Sequence, residues 1–111
     1  MEQVRILFVC ARNKWRSPTA ERIFGRDPRF QCRACGFSSK SARVLSDADV
    51  GWADAVCVME REHARRLKQK HRDALGDTPL HVLEIADQYR FMDPGLIELL
   101  EARFPSCLGE I

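Results

Sequence analysis

Two short apolar runs constrain this chain more than anything else in it: VRILFV (4–9) and DAVCVM (54–59). A strand with water on one face alternates apolar and polar residues. A run without alternation is buried on both faces, as in a parallel sheet held between two helical layers. The segments between the runs fit that arrangement. Ser17-Pro18 reads as a helix start, serine as N-cap and proline at the first helical position. Ala20, Ile23 and Phe24 follow at helical spacing, and Gly25 or Arg26 ends the helix before Asp27-Pro28. FQCRAC (30–35) is the next strand, GFSSKSARVLS a polar loop, and DADVGWA a short helix.

After the third strand, residues 60–74 predict one helix with Ala64, Leu67, His71 and Ala74 on a shared face. PLHVLEI (79–85) is a fourth strand. Residues 94–104 close the pattern with Leu96, Ile97, Leu100 and Phe104 aligned. The order β-α-β-α-β-α-β-α implies a single α/β domain spanning 1–111. Its architecture is a three-layer sandwich around a four-stranded parallel sheet, flavodoxin- or Rossmann-like. In such folds ligands sit at the carboxyl ends of the strands, and Cys10 ends the first.

The 111 residues suffice for one core, and 45% apolar with 31% charged is ordinary for a soluble domain. No run reaches membrane-spanning length, and Met1-Glu2-Gln3 leads into a strand with no signal-peptide pattern, so the expected location is the cytoplasm. The formal charge of +2 does not point to nucleic acid. Five cysteines (10, 32, 35, 57 and 107) are odd in number and irregular in spacing, which fits free thiols. Cys32 and Cys35 form a C-x-x-C, but on a strand residues three apart point to opposite faces. No second such pair and no paired histidines complete a zinc set.

The chemistry concentrates in VCARNKWRSPTAE (9–21). A thiol attacks as its thiolate, which positive potential favours. A helix start, a short loop able to turn its amides inward, and Arg16 supply that potential, and the same features cradle a phosphate dianion. Arginine's planar fork takes two phosphate oxygens at once. The plain alternative is a buried cysteine ending a strand, with surface cations on a connecting loop.

The pattern C-x-x-N-x-x-R-S-P-x-A-E resembles the active-site loop of the low-molecular-weight protein tyrosine phosphatases. Cys10, Asn13, Arg16, Ser17, Pro18, Ala20 and Glu21 carry it. WADAVCVMEREH is similar to that family's third strand, and FMDPGLIELL supplies an Asp-Pro where the family keeps its general acid. The resemblance covers most of the chain, compressed between residues 36 and 46 and before the fourth strand. It implies that Cys10 attacks phosphorus and that Arg16 holds the equatorial oxygens. Ser17 would hydrogen-bond the Cys10 sulfur, Asn13 would hold the loop's shape, and Asp93 would act as acid and then base. Ala11, Arg12, Lys14 and Trp15 complete the phosphate-binding loop. The implied substrate is a phosphorylated protein or small aryl phosphate, with inorganic phosphate as product. Neither metal nor other cofactor is needed, because amides and Arg16 carry the electrostatics.

Departures from the family stand at three places. Trp15 replaces a second cysteine, and it either packs behind the loop or walls the pocket. Arg12 replaces a glycine: it is strained if that position needs a positive φ, and otherwise the turn differs, with Arg12 a second cation at the mouth. Gly95 stands where relatives have aromatic residues against the substrate ring, so Tyr89, Phe91, Trp15 or Trp52 would replace that wall. Asp93-Pro94 is also an ordinary N-cap followed by proline, and Asp87 is the substitute acid if Asp93 only caps. Asp54 reads as structural. The basic helix EREHARRLKQKHR (60–72) reads as a solvated face or as a dock for an acidic partner or nucleic-acid backbone. An arsenate reductase on the same scaffold and a non-catalytic phosphate or phosphopeptide binder are the rival functions.

Overall fold

The computed structural model describes residues 3–108; Met1, Glu2 and the last three residues, part of the expected 1–111 domain, lie outside that range. The elements are β1 (Val4–Cys10), α1 (Arg16–Phe24), β2 (Phe30–Gly36), α2 (Asp47–Trp52) and β3 (Ala55–Val58). They continue with α3 (Arg61–Lys70), α4 (Arg72–Leu75), β4 (Leu80–Val82), α5 (Pro94–Arg103) and α6 (Pro105–Leu108). All strand pairs are parallel, in the order β2-β1-β3-β4. The expected α/β sandwich is present. No helix among the described residues is long and apolar enough to cross a membrane.

The apolar runs are buried on both faces. Ile6, Phe8 and Cys10 of β1 enter one core with Ala20 of α1, Leu96 and Leu100 of α5, and Phe104. Leu7 and Val9 enter the other with Val50 of α2, Leu67 of α3 and Leu75 of α4. The two odd-spaced thiols divide in the same way: Cys32 packs against the first core and Cys35 lies inside the second. Because β1 pairs with β2 on one side and β3 on the other, the chain reverses direction across the sheet at β1. Such a switch point opens a crevice at the strand's carboxyl end.

Four elements differ from the sequence reading. Helix α1 begins at Arg16, so Trp15 takes the N-cap position and Ser17 lies inside the first turn rather than capping it. Pro18 is tolerated there because first-turn N–H groups have no intrahelical acceptor. The helix expected over 60–74 breaks at His71, whose φ of −127° and ψ of 31° separate α3 from α4. Asp47 Oδ1 lies 2.7 Å from His71 Nδ1 and holds the break. Regular β4 is shorter than 79–85 because Glu84 takes a φ of 55°. Even so, Leu83 and Ile85 still donate N–H groups to Val58 and Met59 along β3. Finally, α6 follows α5 as an unexpected extra turn and sends Cys107 into the first core.

The register of β1 and β2 ends at Cys10 opposite Gly36. Beyond that point Phe37 donates its N–H to Cys10 O at 3.2 Å and Ser38 to Ala11 O at 2.8 Å. A Cβ at Gly36 would lie 2.6 Å from Asn13 N and 2.7 Å from Arg12 C, inside contact distance of backbone that cannot yield cheaply. Gly36→Ala is therefore expected to destabilise the protein by about 3 kcal/mol or more, read from a urea unfolding curve. A loss below about 1 kcal/mol would show that the two loops are not held together this way.

Candidate active site

The turn after β1 is built around the Cys10 sulfur. Asn13 has a φ of 50°, in the left-handed region that asparagine tolerates, and Arg12 is not among the described residues with positive φ. Asparagine thus takes the turn's left-handed position, and Arg12 needs no positive φ. The turn aims the Asn13 N–H at Cys10 Sγ, 3.2 Å away. Ser17, one residue into α1, places Oγ 3.0 Å from the same sulfur. Its hydroxyl is also 2.9 Å from Asn13 Oδ1 and 3.3 Å from Cys35 O. One proton cannot serve all three acceptors. With the thiol protonated, S–H donates to Ser17 Oγ and the hydroxyl donates to Asn13. With the thiolate formed, the hydroxyl turns to sulfur.

Arg16 is the other half of the site. It is only 2% exposed, the bulkiest of the fully buried side chains among the described residues. Its Nη1 donates to Glu60 Oε2 at 2.6 Å and to the Ile85 carbonyl at 2.8 Å. Its Nε lies 3.6 Å from Asp87 Oδ1. Nη1 is thus committed to Glu60 and Ile85, and an anion taking the Nε–Nη2 edge, the geometry of a bidentate contact, would displace the longer Nε–Asp87 pair. Glu60 is in turn fixed from α3: its backbone N–H donates to His63 Nδ1 at 3.2 Å. That bond assigns the His63 proton to Nε2, 3.6 Å from Glu60 Oε2. Burial, reinforced by the nearby Arg16 charge, pushes His63 below its ordinary pKa and favours the neutral ring.

Cys10, Arg12, Lys14, Trp15, Arg16 and Asp87 enclose a cavity of about 50 Å³. Three of those six are cations and one is acidic, so the cavity suits a small anion. Trp15 is a wall of it, half-buried, with Lys14 Nζ 4.9 Å from its ring centroid. Asp93 stands outside that lining. It caps α5, its Oδ1 accepting the Gly95 N–H at 2.7 Å. The preceding Met92 N–H donates to Thr19 Oγ1 at 2.9 Å, which ties the Asp93 segment to the first turn of α1. Ala11 stands outside the lining too, its carbonyl accepting the Ser38 N–H. Asp54 is structural, accepting from the Arg5 N–H at 2.9 Å beside the start of β1.

Sequence reasoning did not assign Glu60 or His63 a part in the site. The available signal was an acidic residue directly after the buried run 54–59, at the same carboxyl edge as Cys10. The other thiols lie in unlike surroundings. Burial pushes Cys32 and Cys35 up to about 12. Hydrogen bonding with Cys107, together with burial, raises Cys57. Among the described residues no group of three or more His, Cys, Asp or Glu is placed to hold a metal ion.

No protein-family model and no curated protein matches this chain. Solved structures do. The tyrosine phosphatase Wzb from Escherichia coli K30, in complex with phosphate, is 20% identical with a TM-score of 0.78, covering 99% of both chains. The YwlE arginine phosphatase from Geobacillus stearothermophilus is 20% identical with a TM-score of 0.71, over 96% of this chain and 91% of that one. SP-PTP, the low-molecular-weight protein tyrosine phosphatase from Streptococcus pyogenes, is 14% identical with a TM-score of 0.71, over 96% and 90%. This chain has the fold of the low-molecular-weight protein tyrosine phosphatases.

Proposed function

We propose that the chain is a cysteine-dependent phosphatase that hydrolyses phosphotyrosine, or a similar phosphomonoester, without a metal. The observation that carries this reading is the convergence on one small cavity of Cys10 Sγ, held by the Asn13 amide and Ser17 hydroxyl, and a buried Arg16 whose Nη1 is fixed by Glu60 and Ile85. The phosphate bound to the Wzb structure, on the same fold, suits it.

In this mechanism Cys10 thiolate attacks phosphorus, the S–P bond forms, and the bond to the leaving oxygen breaks. Asp93 gives that oxygen its proton. Arg16 and loop amides hold the equatorial oxygens as charge spreads over them. Asp93, now a carboxylate, takes a proton from the hydrolytic water. Water oxygen then bonds phosphorus, the S–P bond breaks, and inorganic phosphate leaves with the thiolate restored. The Ser17 hydroxyl stabilises the thiolate at both ends of the cycle. Because the cap bond of Asp93 uses Oδ1, Oδ2 remains for the proton.

The position of Asp93 outside the cavity lining favours one second reading, a phosphate- or phosphopeptide-binding module without acid chemistry. Two variants separate the readings. Asp93→Asn is expected to lower kcat on an aryl phosphate by about 10²–10⁴ and to leave a cysteinyl-phosphate detectable by mass spectrometry after quenching. Asp87→Asn is expected to act mainly on KM, through Arg16. A larger kcat loss in Asp87→Asn would transfer the acid role to Asp87, and an Asp93→Asn protein as active as the parent would sink the assignment. An arsenate-reductase reading would need thiols ready to relay a disulfide from Cys10. The raised values of Cys32, Cys35 and Cys57 do not favour it.

A further inference from the structure

Arg12 and Lys14 have a second neighbourhood besides the cavity. With Asn13, Lys40 and Ala42 they line an adjoining groove of about 390 Å³. The close approach at Gly36 is what brings Lys40 there. The Phe37 and Ser38 N–H bonds lay the 37–42 loop against residues 10–13, and Ser41 closes a turn by donating its N–H to Ser38 O at 3.0 Å. All three cations are exposed, and among the described residues none of them pairs with a carboxylate. The nearby Arg43, by contrast, is neutralised by Asp49 at 2.8 Å. No acidic residue lines the groove.

We infer that this groove is a second subsite, which receives the side-chain carboxylates flanking the phosphorylated residue of an acidic peptide. The inference rests on the phosphatase reading of the Cys10 cavity and adds the substrate class. Cavity and groove share Arg12 and Lys14, so the groove lies directly beside a phosphoryl group that reaches Cys10. At roughly 3.3 Å per extended residue, carboxylates one to three positions from the phosphorylated residue lie about 3–10 Å along the chain from it. The donors also favour carboxylates over a second phosphate. They are three dispersed cations, two of them lysine point charges, with no convergent amide nest of the kind that holds a compact dianion. Exposed charges of this kind act through long-range attraction and are sensitive to salt.

The test measures binding of fluorescent phosphotyrosine peptides to the Cys10→Ser protein at low salt. Three peptides differ only in their neighbours: Glu on both sides, Gln on both sides, or Gln with a second phosphorylated residue. The Glu peptide is expected to bind about tenfold tighter than the Gln peptide, the product of three exposed pairs each worth a factor of about two. Adding Lys40→Glu is expected to reduce the ratio to about two or less, and Lys68→Glu, on α3, to leave it in place. Because each ratio is internal to one protein, a general weakening of the phosphate site cancels. Equal binding of Glu and Gln peptides, binding of neither, or an equal effect of Lys68→Glu would overturn the subsite. So would a doubly phosphorylated peptide binding more than tenfold tighter than the Glu peptide. Loss of metal-free turnover in the parent protein would instead remove the phosphatase reading, and the binding ratio would still decide the subsite.

Discussion

Cys10→Ser will abolish hydrolysis of an aryl phosphate in EDTA, lowering kcat by about four orders of magnitude or more. Every step of the proposed cycle passes through the Cys10 sulfur, and a serine hydroxyl at that position has no adjacent base to remove its proton. The exchange replaces one atom of a buried residue by a slightly smaller one, with Ser17 Oγ and the Asn13 N–H still in reach. Thermal unfolding should therefore stay within a few degrees of the parent, and phosphate should still bind. Steady-state kinetics, a melting curve and a phosphate titration on the same preparation check all three. A parent protein without turnover, binding phosphate as well as the variant does, would leave a cradle without chemistry. Turnover that survives in the variant would move the nucleophile elsewhere.

Arg16→Lys carries the second large effect, and it splits differently. Lysine keeps the charge and loses the fork, so kcat/KM is expected to fall about 10²–10³-fold. It also cannot reproduce two bonds from one planar nitrogen to Glu60 and Ile85 O while facing an anion with another edge. A buried carbonyl left without its donor costs about 1–3 kcal/mol, so the melting temperature should drop by at least about 4 °C. Loss of activity at unchanged stability would mean that the Nη1 bonds do not hold the side chain. Loss of stability at unchanged activity would mean that Arg16 is structural.

The fold was readable in the sequence because its causes are local or nearly so. Unbroken apolar runs declare burial on two faces, and helical spacing declares a one-sided helix. That the Cys10 thiol and Arg16 share one cavity was readable because only five loop residues separate them. What the sequence hid depends on backbone geometry or on distant pairs. Glu60 and Ile85 meet Arg16 across 44 and 69 residues, and no spacing rule connects them. The break at His71 is held by Asp47, 24 residues earlier. The extra turn α6 and the bend at Glu84 arise where the chain must return to the core. Ser17-Pro18 misled by being typical: the same dipeptide serves two positions deeper in the helix, and the hydroxyl thus freed lies beside the sulfur.

The contact between Gly36 and the backbone of residues 12 and 13 separates the shape of the cradle from the identity of its rim. The turn is propped by the end of a neighbouring strand through main-chain atoms, and the side chains at 12, 14 and 15 take no part in that support. Arginine, lysine and tryptophan can therefore stand at those positions while the sulfur keeps its donors. What the rim presents to a bound molecule is thus set apart from what holds the sulfur in place.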